Sequence, residues 1–118
     1  MRAALKGFHL EPDPSTLPDD PSRFVLLAQL LVGPADGPGE ESFDVTICTP
    51  EWLATACREA GGIYNPRHHL IVELDSFDQR ALRTWLEARV QQVEADDWAG
   101  LAYRLGHLGH WQFEDYRR

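Results

Sequence analysis

The sequence predicts an α+β fold: an antiparallel sheet of about five strands with three helices packed mainly on one face, in the order βββ-α-β-α-α-β. Two observations support this prediction. Strand patterns occur in runs of neighbours instead of alternating regularly with helices, and the helical segments carry apolar stripes at three- and four-residue spacing. With 118 residues, 43% of them hydrophobic, the chain is expected to form one domain over 1–118 with its own core.

The first two predicted strands flank a proline-rich loop. Residues 2–10 form a strand anchored by apolar side chains, and four prolines within 11–22 exclude regular structure there. The apolar run over 24–32 is interrupted only by Gln29. Such a run favours an internal strand covered on both faces. The anchors of the first strand are Leu5, Phe8 and Leu10.

A hairpin loop and an alternating strand come next. Residues 33–39 contain two prolines and three glycines, which is typical of a hairpin connection. Residues 42–48 alternate strictly, with Phe43, Val45 and Ile47 on one face, and therefore predict a half-buried antiparallel strand.

Helix signals follow this strand directly. Thr49 is the expected N-cap residue and Pro50 the first helical residue, while Gly61 and Gly62 end the helix. Residues 68–74 then predict a fourth strand.

Two more helices precede the terminal segment. Ser76 to Gln79 form a capping box for the second helix, which is predicted to pack on the sheet through Trp85 and Leu86. Asp96 or Asp97 caps the third helix.

The charge balance limits the classes of partner. Nineteen acidic and eleven basic residues give a formal net charge of −8 and a pI near 4.9, so nucleic acids and anionic membranes are excluded as main partners. No apolar run approaches the ~20 residues that span a bilayer, and the first residues lack a signal-peptide pattern. We therefore expect a cytoplasmic protein with a partner that is not a nucleic acid or a membrane.

Neither the cysteines nor the histidines form a recognisable metal or redox site. Cys48 and Cys57 lie nine residues apart, a spacing that leaves their pairing open, and two lone cysteines are usually buried apolar residues. His68 and His69 would point to opposite faces of a regular strand. The remaining pair, at 107 and 110, is interrupted by glycines and lacks further ligands. We predict no metal and no cofactor.

An enzyme is the alternative to a binding protein. Cys48 or Ser76 with His69 could supply a nucleophile and a base, but the sequence contains no nucleophile elbow and no phosphate-binding loop. The alternative function is therefore a small hydrolase or ligand-binding domain with His68 or His69 in a cleft.

The end of the chain carries the strongest indication of a partner. Trp111 and Phe113 fall on one face of a predicted closing strand, beside the carboxylates of Glu114 and Asp115. These two acids cap no helix, and neither does Glu73 on the fourth strand. The predicted partner-binding residues are Glu73, Trp111, Glu114, Asp115 and Tyr116, with Tyr64 as a further aromatic candidate.

Three segments give the chain a family resemblance. They are ESFDVTICTPEWL at 41–53, RHHLIVE at 67–73 and HWQFEDY at 110–116. In this order and spacing they resemble the immunity protein 8 family of bacterial polymorphic-toxin systems. The resemblance implies a small cytoplasmic α+β protein that neutralises a toxin, without catalysis and without a cofactor. Gln112 stands where the family pattern suggests an acidic residue.

Charge and resemblance together give a specific hypothesis. A toxin that cuts nucleic acid must be basic, and an acidic inhibitor would be steered electrostatically onto it. We therefore expect a basic cognate toxin domain as the partner. Its activity, and the oligomeric state of the complex, do not follow from the sequence.

Overall fold

In the computed structural model four strands lie side by side in chain order, and a fifth strand also pairs with the third. The structure describes residues 1–12, 23–73 and 78–113. The elements in chain order are β1 (Ala3–Glu11), β2 (Val25–Pro34), β3 (Glu41–Cys48), α1 (Pro50–Glu59), β4 (His69–Ile71), α2 (Gln79–Gln91), α3 (Trp98–Leu105) and β5 (His110–Trp111). The α+β class and the element order agree with the sequence-based prediction.

The sheet is mixed, whereas the sequence analysis predicted an antiparallel one. β1, β2 and β3 form an antiparallel meander, but β4 runs parallel to β3, with Ile47 paired to Leu70. α1 connects these two neighbours. A helical connection returns the chain to the end of the sheet at which the preceding strand began, so the next strand runs in the same direction.

The outer edge of β3 is shared by two short strands from separate parts of the chain. β4 pairs with the segment from Thr46 to Cys48, and β5 pairs antiparallel with Phe43 and Asp44. The fourth strand, predicted over 68–74, is therefore only three residues long. β3 holds both strands in place and is the central element of this edge.

A β-bulge explains the spacing of the apolar residues in β1. The pairing with β2 shifts between Leu5 and Gly7. The extra residue reverses which face the following side chains occupy. As a result Leu5, Phe8 and Leu10 all pack against the same core, although a regular strand would place Leu5 opposite the other two.

The core lies on one face of the sheet. In β2 the inward residues are almost completely buried, whereas Leu27 on the other face is 43% exposed and Gln29 is exposed. The prediction that this strand is internal is confirmed, but the prediction that both its faces are covered is wrong. The inward residues of β2 are Leu26, Ala28, Leu30 and Val32.

α2 and α3 cover that face. Leu86 is fully buried, as predicted, but Trp85 is 40% exposed. At 3.6 residues per turn, Trp85 lies about 100° around the helix from Leu86 and thus at the border of the buried stripe. The Arg89 guanidinium stands 4.9 Å from the Trp85 ring centroid and covers part of it. The buried helical residues are Leu82, Leu86, Val90, Leu101, Ala102 and Leu105.

Polar side chains cap all three helices. The Thr49 hydroxyl accepts a hydrogen bond from the Trp52 amide and Asp97 caps α3, both as predicted. α2 begins at Gln79 with Asp78 as its N-cap, while the predicted cap Ser76 lies outside the described residues. None of the helices within the described ranges is long and apolar enough to cross a membrane.

Candidate partner-binding surface

The terminal segment, which begins at Gly109, approaches β3 closely at this glycine. A Cβ atom at Gly109 would lie 2.9 Å from Cγ2 of Val45 and 3.2 Å from the carbonyl oxygen of Asp44. Only a residue without a side chain allows this approach. Gly109 therefore sets the position from which β5 pairs with β3.

The aromatic residues of this segment form a continuous row of ring contacts. The Trp111 ring lies parallel to Phe43, with centroids 6.4 Å apart and planes inclined by 14°. Phe113 meets Trp111 edge-on at 5.5 Å. Trp111 packs against the core as predicted, but β5 ends there, and Phe113 is 39% exposed in the turn that follows.

Glu41 joins two tryptophans. Its Oε2 atom accepts one hydrogen bond from Nε1 of Trp98 and another from Nε1 of Trp111, each 2.8 Å long. One carboxylate oxygen thus connects β3 to the start of α3 and to β5. This role could not be predicted from the sequence, because the spacing of the three residues forms no local pattern.

Gln112 has a structural role at the position where the family pattern suggests an acid. The backbone N–H of Gln112 donates to the Ser42 carbonyl oxygen at 3.0 Å. The side-chain Oε1 of Gln112 accepts from the Ser42 backbone N–H. Both backbone groups of Ser42 are thereby satisfied. Gln112 extends the attachment of the terminal segment one residue beyond β5.

The two predicted partner-binding residues that the structure describes, Glu73 and Trp111, lie apart. Trp111 pairs beside Phe43, whereas Glu73 follows β4 beyond the level of Cys48. Phe43 and Cys48 are five residue steps apart along β3, which corresponds to about 17 Å. The other three predicted residues, Glu114, Asp115 and Tyr116, lie outside the described residues.

His69 is held by two hydrogen bonds. Its Nδ1 lies 2.6 Å from the carbonyl oxygen of Arg67 and must carry the proton that bonds this oxygen. Nε2 then accepts from the Tyr64 hydroxyl at 3.1 Å. Both ring nitrogens of His69 thus have partners within the fold, and Tyr64 supports the ring.

His68 turns away from its neighbour. Its φ angle of 57° places it in the left-handed region just before β4, and its Nε2–H donates to the Gly106 carbonyl oxygen at 2.8 Å. The ring therefore caps the carboxyl end of α3. Within residues 1–12, 23–73 and 78–113 no three His, Cys, Asp or Glu side chains form a group that could hold a metal ion.

The cysteines are both free thiols. Cys48 is fully buried, and this burial raises the pKa of its thiol. A buried thiol with a raised pKa is a poor nucleophile. Ser76, the other nucleophile of the hydrolase alternative, lies outside the described residues.

A groove of about 530 Å³ runs along the outer side of α3. It is lined by Ala99, Ala102 and Tyr103 of α3, by Gly106 and His107 just after the helix, and by Arg67 and Trp111. Tyr103 stands at its border with 74% of its surface exposed. This combination of an exposed aromatic ring and an apolar groove is typical of a protein-binding surface.

A second, polar cleft of about 740 Å³ lies on the other side of Tyr103. Glu94 is paired with Arg2 and also lies next to Arg104, which donates to its backbone carbonyl oxygen. Asp96 is exposed and makes no hydrogen bond or ion pair within the described part of the chain. It is the carboxylate of this cleft that is available to a partner.

A smaller groove of about 220 Å³ contains Glu73. Ile71 and Trp85, both about 40% exposed, line it between β4 and the start of α2. Glu73 thus has apolar neighbours, but it belongs to a different surface from Trp111.

Comparison with known protein families matches residues 3–116 to the family described as Immunity protein 8. The chain belongs to this family. The match includes every strand and helix of the fold, and it identifies a toxin immunity protein whose partner is a cognate toxin. No curated protein and no solved structure matches the chain.

Proposed function

We propose that this immunity protein neutralises its toxin by binding it stoichiometrically, without turnover, as a non-enzymatic inhibitor. The observation that carries the proposal is the family match over residues 3–116. The occupied ring nitrogens of His69 and the buried Cys48 thiol support it, because the side chains suggested for a hydrolase serve the fold.

The toxin partner is a basic domain that acts on nucleic acid in a polymorphic-toxin system. The net charge of −8 supports this, since opposite charge accelerates the association of two proteins. The same charge disfavours nucleic acid itself as a ligand of the immunity protein. Neutralisation would then take place in the cytoplasm, where such a toxin finds its substrate.

The acidic charge is unevenly distributed over the elements. α2 carries Arg80, Arg83 and Arg89 but only one acid, Glu87. Its exposed side would repel a basic toxin. The toxin is therefore expected to approach another part of the surface.

The terminal segment is the first proposed contact. The chain continues from Phe113, next to Trp111, into the carboxylates of Glu114 and Asp115 and the ring of Tyr116. In this proposal Glu114, Asp115 and Tyr116 contact the toxin, whereas Trp111 anchors the segment to β3 through Phe43 and Glu41. Glu73 is a separate, secondary contact.

Co-expression with the product of the toxin gene expected immediately upstream tests the function. The toxin should arrest growth, and the immunity protein should restore growth and co-purify with it in a fixed ratio. Titration calorimetry should give a stoichiometry that does not change with incubation time. Recovery of growth at strongly substoichiometric amounts, or a covalently altered toxin, would instead indicate an enzyme.

A further inference from the structure

Tyr103 is the most conspicuous exposed aromatic residue of the described surface. It lies on the outer side of α3, whose inner residues Leu101, Ala102 and Leu105 are buried. Its ring meets the His107 ring edge-on at 5.5 Å and is 74% exposed. Because tyrosine has only two side-chain torsions, its ring binds a partner with little loss of conformational freedom.

The groove beside Tyr103 can receive side chains of a partner. Its volume of about 530 Å³ lies within the range of ligand pockets. Its lining combines the small residues Ala99, Ala102 and Gly106 with the larger side chains of Arg67, Tyr103, His107 and Trp111. The Trp111 ring on the opposite side is fixed by Phe43 and Glu41. The groove is therefore lined by two aromatic rings, of which Trp111 is held in position by the fold.

The cleft on the other side of Tyr103 offers a negative charge. Arg2 and Arg104 already contact Glu94, and the Asp97 carboxylate accepts a hydrogen bond from the Gly100 amide. Asp96 remains, exposed and at the border of the same surface. A cation of a partner that lies against Tyr103 can reach it.

We propose that the cognate toxin docks on the outer side of α3, centred on Tyr103. An apolar or aromatic side chain of the toxin enters the groove, and a lysine or arginine of the toxin faces Asp96. The inference rests on the proposed function, and it names the contact surface. The family match makes a toxin the occupant, and the exposed Asp96 carboxylate beside Tyr103 is the group that a cation of a basic toxin would meet on this surface. Arg67 and Arg104 also line the two cavities.

Other exposed apolar residues fit this role less well. Ile63 is 88% exposed but lines neither of the two cavities next to Tyr103. Trp85 is covered in part by Arg89 and belongs to the arginine-rich α2. The groove beside Tyr103 is also lined by Trp111, three residues before Glu114 in the sequence, so we propose that both contacts engage one toxin.

The test compares the Tyr103→Ala and Asp96→Lys variants of the full chain with two controls, Ile63→Ala and Glu59→Lys. Tyr103→Ala should weaken toxin binding about 30-fold, mainly through faster dissociation, because central aromatic residues dominate interface energies. Asp96→Lys should slow association about tenfold at low salt and less at high salt. The controls make the same kinds of change on other surfaces and should bind like the unmodified protein.

A second variant at the groove guards against a folding defect. Ala99 is exposed, so Ala99→Arg should leave the thermal unfolding midpoint unchanged while it fills the groove and blocks the toxin. Normal binding by folded Tyr103→Ala and Ala99→Arg proteins would overturn the docking surface but leave the immunity function intact. Absence of binding by the unmodified protein would overturn both.

Discussion

Glu41 accepts hydrogen bonds from two indoles whose residues lie 57 and 70 positions further along the chain. At the scale of single residues, such long-range contacts are what the sequence could not predict. An acid at the start of a strand looks like any exposed carboxylate. Only the folded chain shows that Trp98 and Trp111 both depend on it.

Replacing Glu41 should therefore loosen both tryptophans. Glu41→Ala removes the acceptor of two half-buried N–H groups and should lower the free energy of unfolding by about 2 kcal/mol. Urea denaturation monitored by tryptophan fluorescence measures this loss. Glu40→Ala, at the exposed neighbouring position, is the matched control and should change stability little. Equal stability of the two variants would contradict the role of Glu41.

The two cysteines should differ in reactivity. Burial raises the pKa of the Cys48 thiol and also shields it, so an alkylating reagent at pH 8 should modify only Cys57, which is partly exposed, in the folded protein. Mass spectrometry of the labelled protein checks this. Because folding keeps the Cys48 thiol protonated, stability should also fall as the pH rises above the ordinary thiol pKa of about 8.5. Rapid labelling of Cys48 before unfolding would show that its burial is incomplete.

At the scale of elements, local signals were sufficient where neighbours in sequence are neighbours in space. The caps of α1 and α3 depend on residues within the first turn of each helix. The alternation in β3 depends on residues two positions apart. The parallel pairing of β4 depends on how α1 returns the chain, which no local pattern specifies. The bulge near Gly7 was missed for a similar reason, since it is defined by pairing with β2.

The docking of β5 should be sensitive to the size of residue 109. Gly109→Ala places a methyl group against Val45 and the Asp44 carbonyl oxygen and should cost about 1–3 kcal/mol, as overpacking does in other cores. Fluorescence and denaturation report the displacement of Trp111 and the loss of stability. Gly37→Ala is the control, because its Cβ would meet nothing closer than 3.8 Å. A Gly109→Ala protein as stable as the control would mean that β5 adapts without cost.

The contribution of α2 to stability should come from Leu86 rather than Trp85. Leu86→Ala empties a fully buried position and should cost about 2–5 kcal/mol. Trp85→Ala should cost less than about 2 kcal/mol, because 40% of the ring surface is already exposed. Chemical denaturation of the two variants compares them directly. A larger loss of stability for Trp85→Ala would mean that Trp85 packs on the sheet as the sequence predicted.

At the scale of the whole molecule, net charge and family could be predicted from composition and from three separated segments, and residues 3–116 match that family. The position of the binding surface could not. Glu73 and Trp111 appear equivalent in the sequence, yet they lie on different surfaces. Tyr103 gave no signal, because a tyrosine in an amphipathic helix is as common inside as outside.

Charge reversal at the chain end tests the electrostatic part of the proposal. Glu114→Lys combined with Asp115→Lys should slow association with a basic toxin about tenfold and reduce its dependence on salt, while dissociation changes little. Stopped-flow measurements at two salt concentrations separate the rates. Glu11→Lys with Glu59→Lys makes the same change in net charge on other elements. If both double variants associate equally slowly, the overall charge steers the toxin and the chain end has no special part.

The two short strands on the edge of β3 also determine when the protein can finish folding. β1, β2 and β3 are consecutive in the chain, so their pairing with one another requires no later segment. The segment beside Phe43 and Asp44 stays uncovered until residue 111 has been made. An incomplete chain therefore displays an open strand edge, the feature that promotes aggregation. Translation that stops early would thus yield a species that is prone to self-association and unable to protect the cell.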